Sequence, residues 1–193
     1  GGVHPDIKPG SQAISSYALG LDSTGIYYDQ MLEDTLIERI ESAAQALLTD
    51  DALEDSRFKG KIIPYASKAS QEITDALTTQ AKKIGVDFDV GITVSSPGFY
   101  GPSSRYIDGL KNTLPDIKGS LSKLIIDDLK VLNMEMESSL FFHLCTQMGY
   151  QAGTICTVIS ASKTSDDVVD YETAIGNTIQ IGLSALVQLK TNE

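Results

Sequence analysis

Residues 86–95 read Val-Asp-Phe-Asp-Val-Gly-Ile-Thr-Val-Ser. Apolar side chains take every second position, and a strand is the element that gathers such a set on one face. The residues just before keep a different period. Ala69, Ile73, Ala76, Leu77, Ala81 and Ile84 recur at helical spacing. They predict a helix over 69–84, with Ser67 as candidate N-cap and Gly85 as the residue that ends it. A helix handing over directly to a strand is the signature of an α/β chain, and the alternation repeats along the sequence. Residues 12–19 form a predicted strand, and Leu32, Leu36, Ile40, Ala43, Ala44 and Leu47 predict a helix over 31–49. Lys130-Val131-Leu132-Asn133 reads as a short strand running into a helix with the stripe Leu140, Phe141, Leu144, Cys145 and Met148, stopped by Gly149. Residues 154–159 suit a strand buried on both faces. A last helix, 167–189, carries Val168, Tyr171, Ile175, Ile179, Leu186 and Leu189 on one stripe. The order predicts an α/β domain with a mixed or mostly parallel central sheet, and residues 1–193 are read as one domain.

Charge narrows the partners. Fifteen Lys and Arg stand against 26 Asp and Glu, a net charge of −11. Such a chain has no broad basic surface for nucleic acid or an anionic membrane. A small anion is still compatible, because one Arg or a helix N-terminus binds it locally. No apolar run approaches the roughly 20 residues of a membrane helix, so no membrane span is expected. Cys145 and Cys156 sit in apolar surroundings and read as buried reduced thiols, and His4 and His143 have no ligand spacing. We expect no metal site, a structural His143 and a reducing, cytoplasmic compartment. The acidic stretch 50–56 reads as a solvated connection.

Sites in such folds collect at the carboxyl ends of strands. Three segments qualify: 95–105, 133–137 and 159–164. At 100° per residue Glu137 falls within the apolar stripe of its helix, where a carboxylate needs a partner. Ribose-like hydroxyls would serve, and so would the free N–H groups of a helix N-terminus. Glu135 points elsewhere and reads as structural; Met136 is core or pocket wall. Phe99 and Tyr100 lie on a turn-dense loop with Arg105. That trio suits a flat ring stacked on an aromatic with Arg105 on its edge, or a packed loop with Arg105 in a surface ion pair. Ser95 and Ser96 have no base beside them in sequence and read as turn residues. Ser160 to Thr164 reads as a pocket rim or a plain connection.

These residues match a known pattern. Ser95-Ser96-Pro97-Gly98-Phe99-Tyr100-Gly101-Pro102, ending in Arg105, resembles the base-binding loop of uridine phosphorylases. Met134-Glu135-Met136-Glu137-Ser138 resembles the Glu-Met-Glu ribose motif of the nucleoside phosphorylase superfamily, and residues 152–159 resemble the strand that follows it. Gly1-Gly2-Val3-His4-Pro5 looks like the tail of that superfamily's Gly-Thr-Ser-Gly turn. The order and spacing agree over nearly all of the chain. The resemblance implies a three-layer αβα fold with a mixed central sheet. It also implies a pentosyltransferase: a pyrimidine nucleoside and inorganic phosphate give free base and pentose 1-phosphate. No cofactor is implied, phosphate being the co-substrate. By position, Glu137 would bind ribose hydroxyls and Met136 would pack on the sugar. Glu135 belongs to the motif with a less defined role. Phe99 would line the base pocket, Arg105 would read the uracil edge, and Ile159 and Ser160 would border the base.

The chain also departs from the pattern. The family's Gln two positions before its Arg is Ser103 here, too short for a paired amide contact. Its Asn-Arg near the lid is Ala161-Ser162, and the Asp that serves purine relatives is missing. The phosphate loop, phosphate-binding arginines and Thr of the Gly-Thr-Ser-Gly turn would precede Gly1, so the chain resembles the C-terminal two-thirds of the fold. No phosphate-binding residue is expected within it. Activity is expected to need the N-terminal segment. Relatives assemble as dimers or hexamers of dimers, so a homo-oligomer or a complementing chain is expected. The alternative is a non-catalytic nucleoside-binding or structural homologue, and a third reading is a nucleoside hydrolase.

Overall fold

The computed structural model describes residues 1–28, 34–51, 53, 55–102, 105–114, 116–160 and 169–191. Its centre is β1 (Gln12–Gly20), buried along nearly its whole length. Next come a 3-10 turn (Thr24–Tyr27), α1 (Thr35–Gln45) with a π-helical turn (Ala46–Asp51), β2 (Tyr65–Lys68), α2 (Gln71–Ile84) and β3 (Phe88–Ser95). After these follow α3 (Ile117–Leu121), β4 (Ile125–Ile126), β5 (Leu129–Glu135), α4 (Ser138–Gln147), β6 (Ile155–Thr157) and α5 (Tyr171–Thr191).

The sheet runs β2-β1-β3-β5-β4, with β6 also on β1. The β1–β3 and β3–β5 pairs are parallel; β2 and β6 lie antiparallel to β1, and β4 antiparallel to β5. The sheet is therefore mixed, with helices on both faces. On one face Tyr17, Leu19, Ile92, Val94 and Val131 pack with Ile37, Ile40, Ala44, Leu48 and Leu121. On the other, Ile14 packs with Ala76, Leu77 and Ala81 of α2 and with Ile181 and Ala185 of α5. Phe142 seats α4 against Ala18, Ala69 and Ala152. Burial of side chains this size contributes about 1.5–3 kcal/mol each.

Local chemistry accounts for the element ends. The Asp34 carboxylate caps α1 by accepting from Leu36 N at 2.9 Å. Gly85 ends α2 with φ +78°, a left-handed conformation that costs glycine little. Gly91 sits mid-strand because a Cβ there would lie 2.6 Å from the Lys130 carbonyl oxygen.

Several expectations are corrected. Ser67 is not an N-cap: it lies in β2, buried, with its Oγ 3.2 Å from His143 Nδ1. Ser70 occupies the N-cap position of α2. β6 covers three residues and is half-buried, because it pairs only with the first part of β1. The α1 pattern ends as a π-helical turn, and residues 31–33 lie outside the described residues. The acidic 50–56 stretch is anchored by Leu53, which is buried. α4 buries Ser138, Ser139, Phe142 and His143, leaving Phe141 and Met148 exposed. α5 buries Ala174, Ile181 and Ala185, while Ile179 is 58% and Leu186 64% exposed. Both helices carry apolar residues around much of their circumference, so periodicity names a stripe without saying which stripe packs. Tertiary packing decides it: small residues such as Ser138, Ser139, Ala174 and Ala185 share the buried faces with Phe142, His143 and Ile181.

Candidate functional site

β3 and β5 are parallel neighbours and end together, Ser95 beside Glu135. Their outgoing loops therefore open at one end of the sheet. The β3 loop carries Phe99 and Arg105; the β5 turn carries Met136 and Glu137 at the start of α4. Gly1 to Val3 run beside β5, with Val3 N donating to Leu132 O at 2.9 Å and Met134 N to Gly1 O at 2.8 Å. Together these segments wall a cleft of about 220 Å³, lined by Ser96, Phe99, Arg105, Lys118, Glu135, Met136 and Glu137 among others.

The two glutamates differ in their bonding. The Glu135 carboxylate accepts from Ser95 Oγ, from Glu137 N at 3.0 Å, from Ser138 N at 2.9 Å and from Ser138 Oγ at 2.9 Å. It therefore satisfies the free N–H groups that open α4. Buried polar contacts brace this arrangement. Ser138 Oγ lies 3.1 Å from Thr154 Oγ1, which donates to Ser15 Oγ; Ser15 Oγ lies 2.6 Å from Thr93 Oγ1, which donates to Asn133 Oδ1 at 2.8 Å. Such a chain holds strand ends and helix start in one geometry.

Glu137 is placed otherwise than its spacing predicts. It is the N-cap residue of α4, exposed, and not part of the helix's apolar stripe. Its side chain makes no cap hydrogen bond; among the described residues Oε2 accepts from the neighbouring Met136 N at 3.2 Å and from no other donor. The residue lines the cleft.

The same cleft holds an aromatic platform. The Arg105 guanidinium lies 4.0 Å from the Phe99 ring centre, and Phe99 meets Tyr100 edge-to-face at 5.2 Å. The loop is tied by Arg105 N donating to Tyr100 O at 3.0 Å and Asn112 Nδ2 to Arg105 O at 3.2 Å. No carboxylate among the described residues pairs with Arg105. The surface ion pair allowed by the sequence is absent among those residues.

Ser103, Ala161 and Ser162 lie outside the described residues. Ile159 and Ser160 are exposed and stand just beyond the cleft: Ser160 O accepts from Gly2 N at 2.5 Å, and the Ile159 carbonyl from the Tyr171 hydroxyl. His143 is a structural link, its Nε2 on Tyr28 O and its ring edge-to-face with Tyr65. Burial pushes the Cys156 thiol up to about 11, which keeps it protonated and a poor nucleophile at neutral pH. No group of His, Cys, Asp and Glu among the described residues is arranged to hold a metal ion. Among the described residues no helix is long and apolar enough to cross a membrane.

Sequence reasoning missed Lys118. It lies on the five-residue α3 and lines the cleft beside Arg105. So short an element has no readable period, and a lone lysine there carries no motif.

The parallel strands β3 and β5 thus end in an aromatic–arginine loop and a carboxylate that line one cleft. The family model described as Phosphorylase superfamily matches residues 1–187, and the chain belongs to that superfamily. A Haemophilus influenzae uridine phosphorylase is 34% identical over 148 residues, 76% of this chain and 57% of that protein. A Thermococcus kodakarensis uridine phosphorylase is 33% identical over 107 residues, 54% of this chain and 36% of that protein. The chain thus spans little more than half the length of the curated relatives it matches, or less. Among solved structures, a Trypanosoma brucei nucleoside phosphorylase described as showing uridine phosphorylase activity superposes with a TM-score of 0.80. The match has 24% identity and covers 97% of this chain and 61% of that one, a shared three-layer fold with a mixed sheet.

Proposed function

We propose that the protein acts in phosphorolysis of a pyrimidine nucleoside of the uridine type, transferring the pentose to inorganic phosphate. The observation that carries this reading is that Glu137, with one local hydrogen bond among the described residues, lines the same cleft as the Phe99–Arg105 platform. A carboxylate with free lone pairs is a natural acceptor for two ribose hydroxyls. Phe99 offers a face for the base and Arg105 a row of donors for its oxygens. Met136, half exposed on the cleft wall, packs against the sugar. Glu135 is a positioning residue that fixes the turn from which Glu137 projects. Membership of the superfamily and the named relatives support the same reading.

As the C1′–N bond stretches, positive charge grows on the ribose and negative charge on the base. Donors already oriented towards the base favour that distribution over the ground state. Phosphate oxygen forms the new bond to C1′, and no other cofactor enters. We also propose a homo-oligomer as the working form. The test is product analysis of the full chain with uridine, thymidine and inosine, with and without phosphate. Uracil and ribose 1-phosphate formed only with phosphate support the reading. Uracil formed equally without phosphate makes the protein a hydrolase, and no product from a folded, uridine-binding sample makes it a binding homologue.

A further inference from the structure

Lys118 has no role in the reading above. Its ammonium lies in the cleft wall, half-buried, next to Arg105. No carboxylate among the described residues comes within ion-pair distance of it, although Glu135 and Glu137 line the same cleft. The position a Cβ on Gly1 would take lies 3.4 Å from Lys118 Nζ and 2.6 Å from Ser160 Oγ, so ammonium and hydroxyl face one small volume. In a chain of net charge −11, two cations in one cleft without a carboxylate partner among the described residues form a local exception to the surrounding field. Two like charges held together also repel. Burial and the nearby Arg105 both press the Lys118 ammonium towards its neutral form. An anion placed between them relieves that opposition.

The shape of the cleft indicates which anion. Arg105 stands over the Phe99 ring, and its charge is the one felt by Lys118, so an anion that meets both cations also meets an aromatic face. A flat anionic ring uses that face; a phosphate group would not, and Glu135 and Glu137 line the same cleft. We propose that Lys118 is a second base-binding cation, which with Arg105 holds the departing pyrimidine as its anion. The inference rests on the phosphorolysis reading. In that step the C1′–N bond breaks and its electron pair passes to the ring nitrogen and onto the ring oxygens. A phosphate oxygen closes the new bond to C1′, and no proton need move to the base. Lys118 then favours the late, charge-separated arrangement more than the neutral nucleoside.

The test compares binding of two free bases to the full chain at neutral pH: uracil, which is neutral there, and 5-nitrouracil, which is an anion. The quantity read is the ratio of their affinities in wild type, Lys118→Met and Lys118→Arg. The methionine keeps the apolar stem, and the ratio cancels any steric effect of the nitro group. The expected result is a preference for the anion that falls about tenfold or more in Lys118→Met and survives in Lys118→Arg. An unchanged ratio in Lys118→Met overturns the assignment while leaving the base site intact. Equal loss in both variants makes Lys118 a packing residue and also overturns it. Failure of wild type to bind either base, with the protein folded, removes the base site itself and the phosphorolysis reading with it.

Discussion

Glu135 and Glu137 stand two residues apart, yet the structure gives them opposite tasks, and that division is measurable. Glu135→Gln keeps the size and shape of the side chain. It leaves one acceptor oxygen and turns an amide N–H₂ towards donors that the carboxylate now accepts: Ser95 Oγ, Glu137 N, Ser138 N and Ser138 Oγ. Hydrogen bonds to a charged group contribute about 1.5–3 kcal/mol each, and a carboxylate at a helix N-terminus about 0.3–1 kcal/mol more. These contacts share one side chain and the amide keeps some of them, so they do not add. A loss of about 3 kcal/mol is the working value, equivalent to losing one strong charged bond and the helix-terminal term. With a urea slope of roughly 2 kcal/mol per molar, the unfolding midpoint falls by about 1.5 M. Glu137→Gln is the matched control. It removes a charge that accepts one local N–H among the described residues, so stability stays within about 0.5 kcal/mol and the midpoint within about 0.25 M of wild type. The assay is equilibrium urea unfolding followed by far-UV circular dichroism, with both variants and wild type in one buffer. A Glu135→Gln midpoint indistinguishable from wild type would refute the reasoning, because the donors of the α4 start would then be satisfied without the carboxylate. A larger loss from Glu137→Gln than from Glu135→Gln would invert the assignment.

Other consequences follow from the same contacts. Phe99→Ala removes an aromatic face that is 52% exposed, so it leaves the unfolding midpoint nearly unchanged. It weakens uracil binding by calorimetry by roughly tenfold to a hundredfold, the worth of one base–aromatic stack; undiminished affinity would remove Phe99 from the site. Glu41 is partly buried, and burial pushes its carboxyl above the ordinary value despite the hydrogen bond it accepts from Ala66 N at 2.8 Å. A carboxyl raised in the folded state binds its proton more tightly there. Stability therefore falls as pH rises from the ordinary carboxylate value through the raised one. Glu41→Gln removes that decline in a series of unfolding curves across the window, and a variant with the wild-type slope would assign the decline elsewhere.

Much of the fold is legible in the sequence wherever one period dominates. The alternation at Val86–Val94 gives β3, and the spacing at Ala69–Ile84 gives most of α2 with Gly85 as its end. β2 escapes notice because Tyr65-Ala66-Ser67-Lys68 is too short to show alternation, and Ser67 also reads as a cap. For α4 and α5 the periodicity is real but the buried face is not deducible, since Phe141, Ile179 and Leu186 are as apolar as the residues that pack. The site divides in the same way. Phe99, Arg105 and Glu137 carry a motif that marks them, whereas the geometric argument from the helical stripe misplaces Glu137. One residue of local structure, the N-cap, separates the stripe from the cleft. Glu135 reads as structural in the sequence, but its partners do not, because they depend on where Ser95 of another strand ends. Lys118 needed the tertiary fold for the same reason.

The central claim is that the carboxylate of Glu137 and the Phe99–Arg105 platform make one nucleoside site. The most direct measurement is the steady-state phosphorolysis of uridine by the full chain and by Glu137→Ala, with urea unfolding of both samples alongside. The account predicts a fall in kcat/KM of about a hundredfold or more, the loss of a charged acceptor for the ribose hydroxyls, with an unchanged unfolding midpoint. Wild-type kcat/KM in a folded Glu137→Ala protein would contradict it.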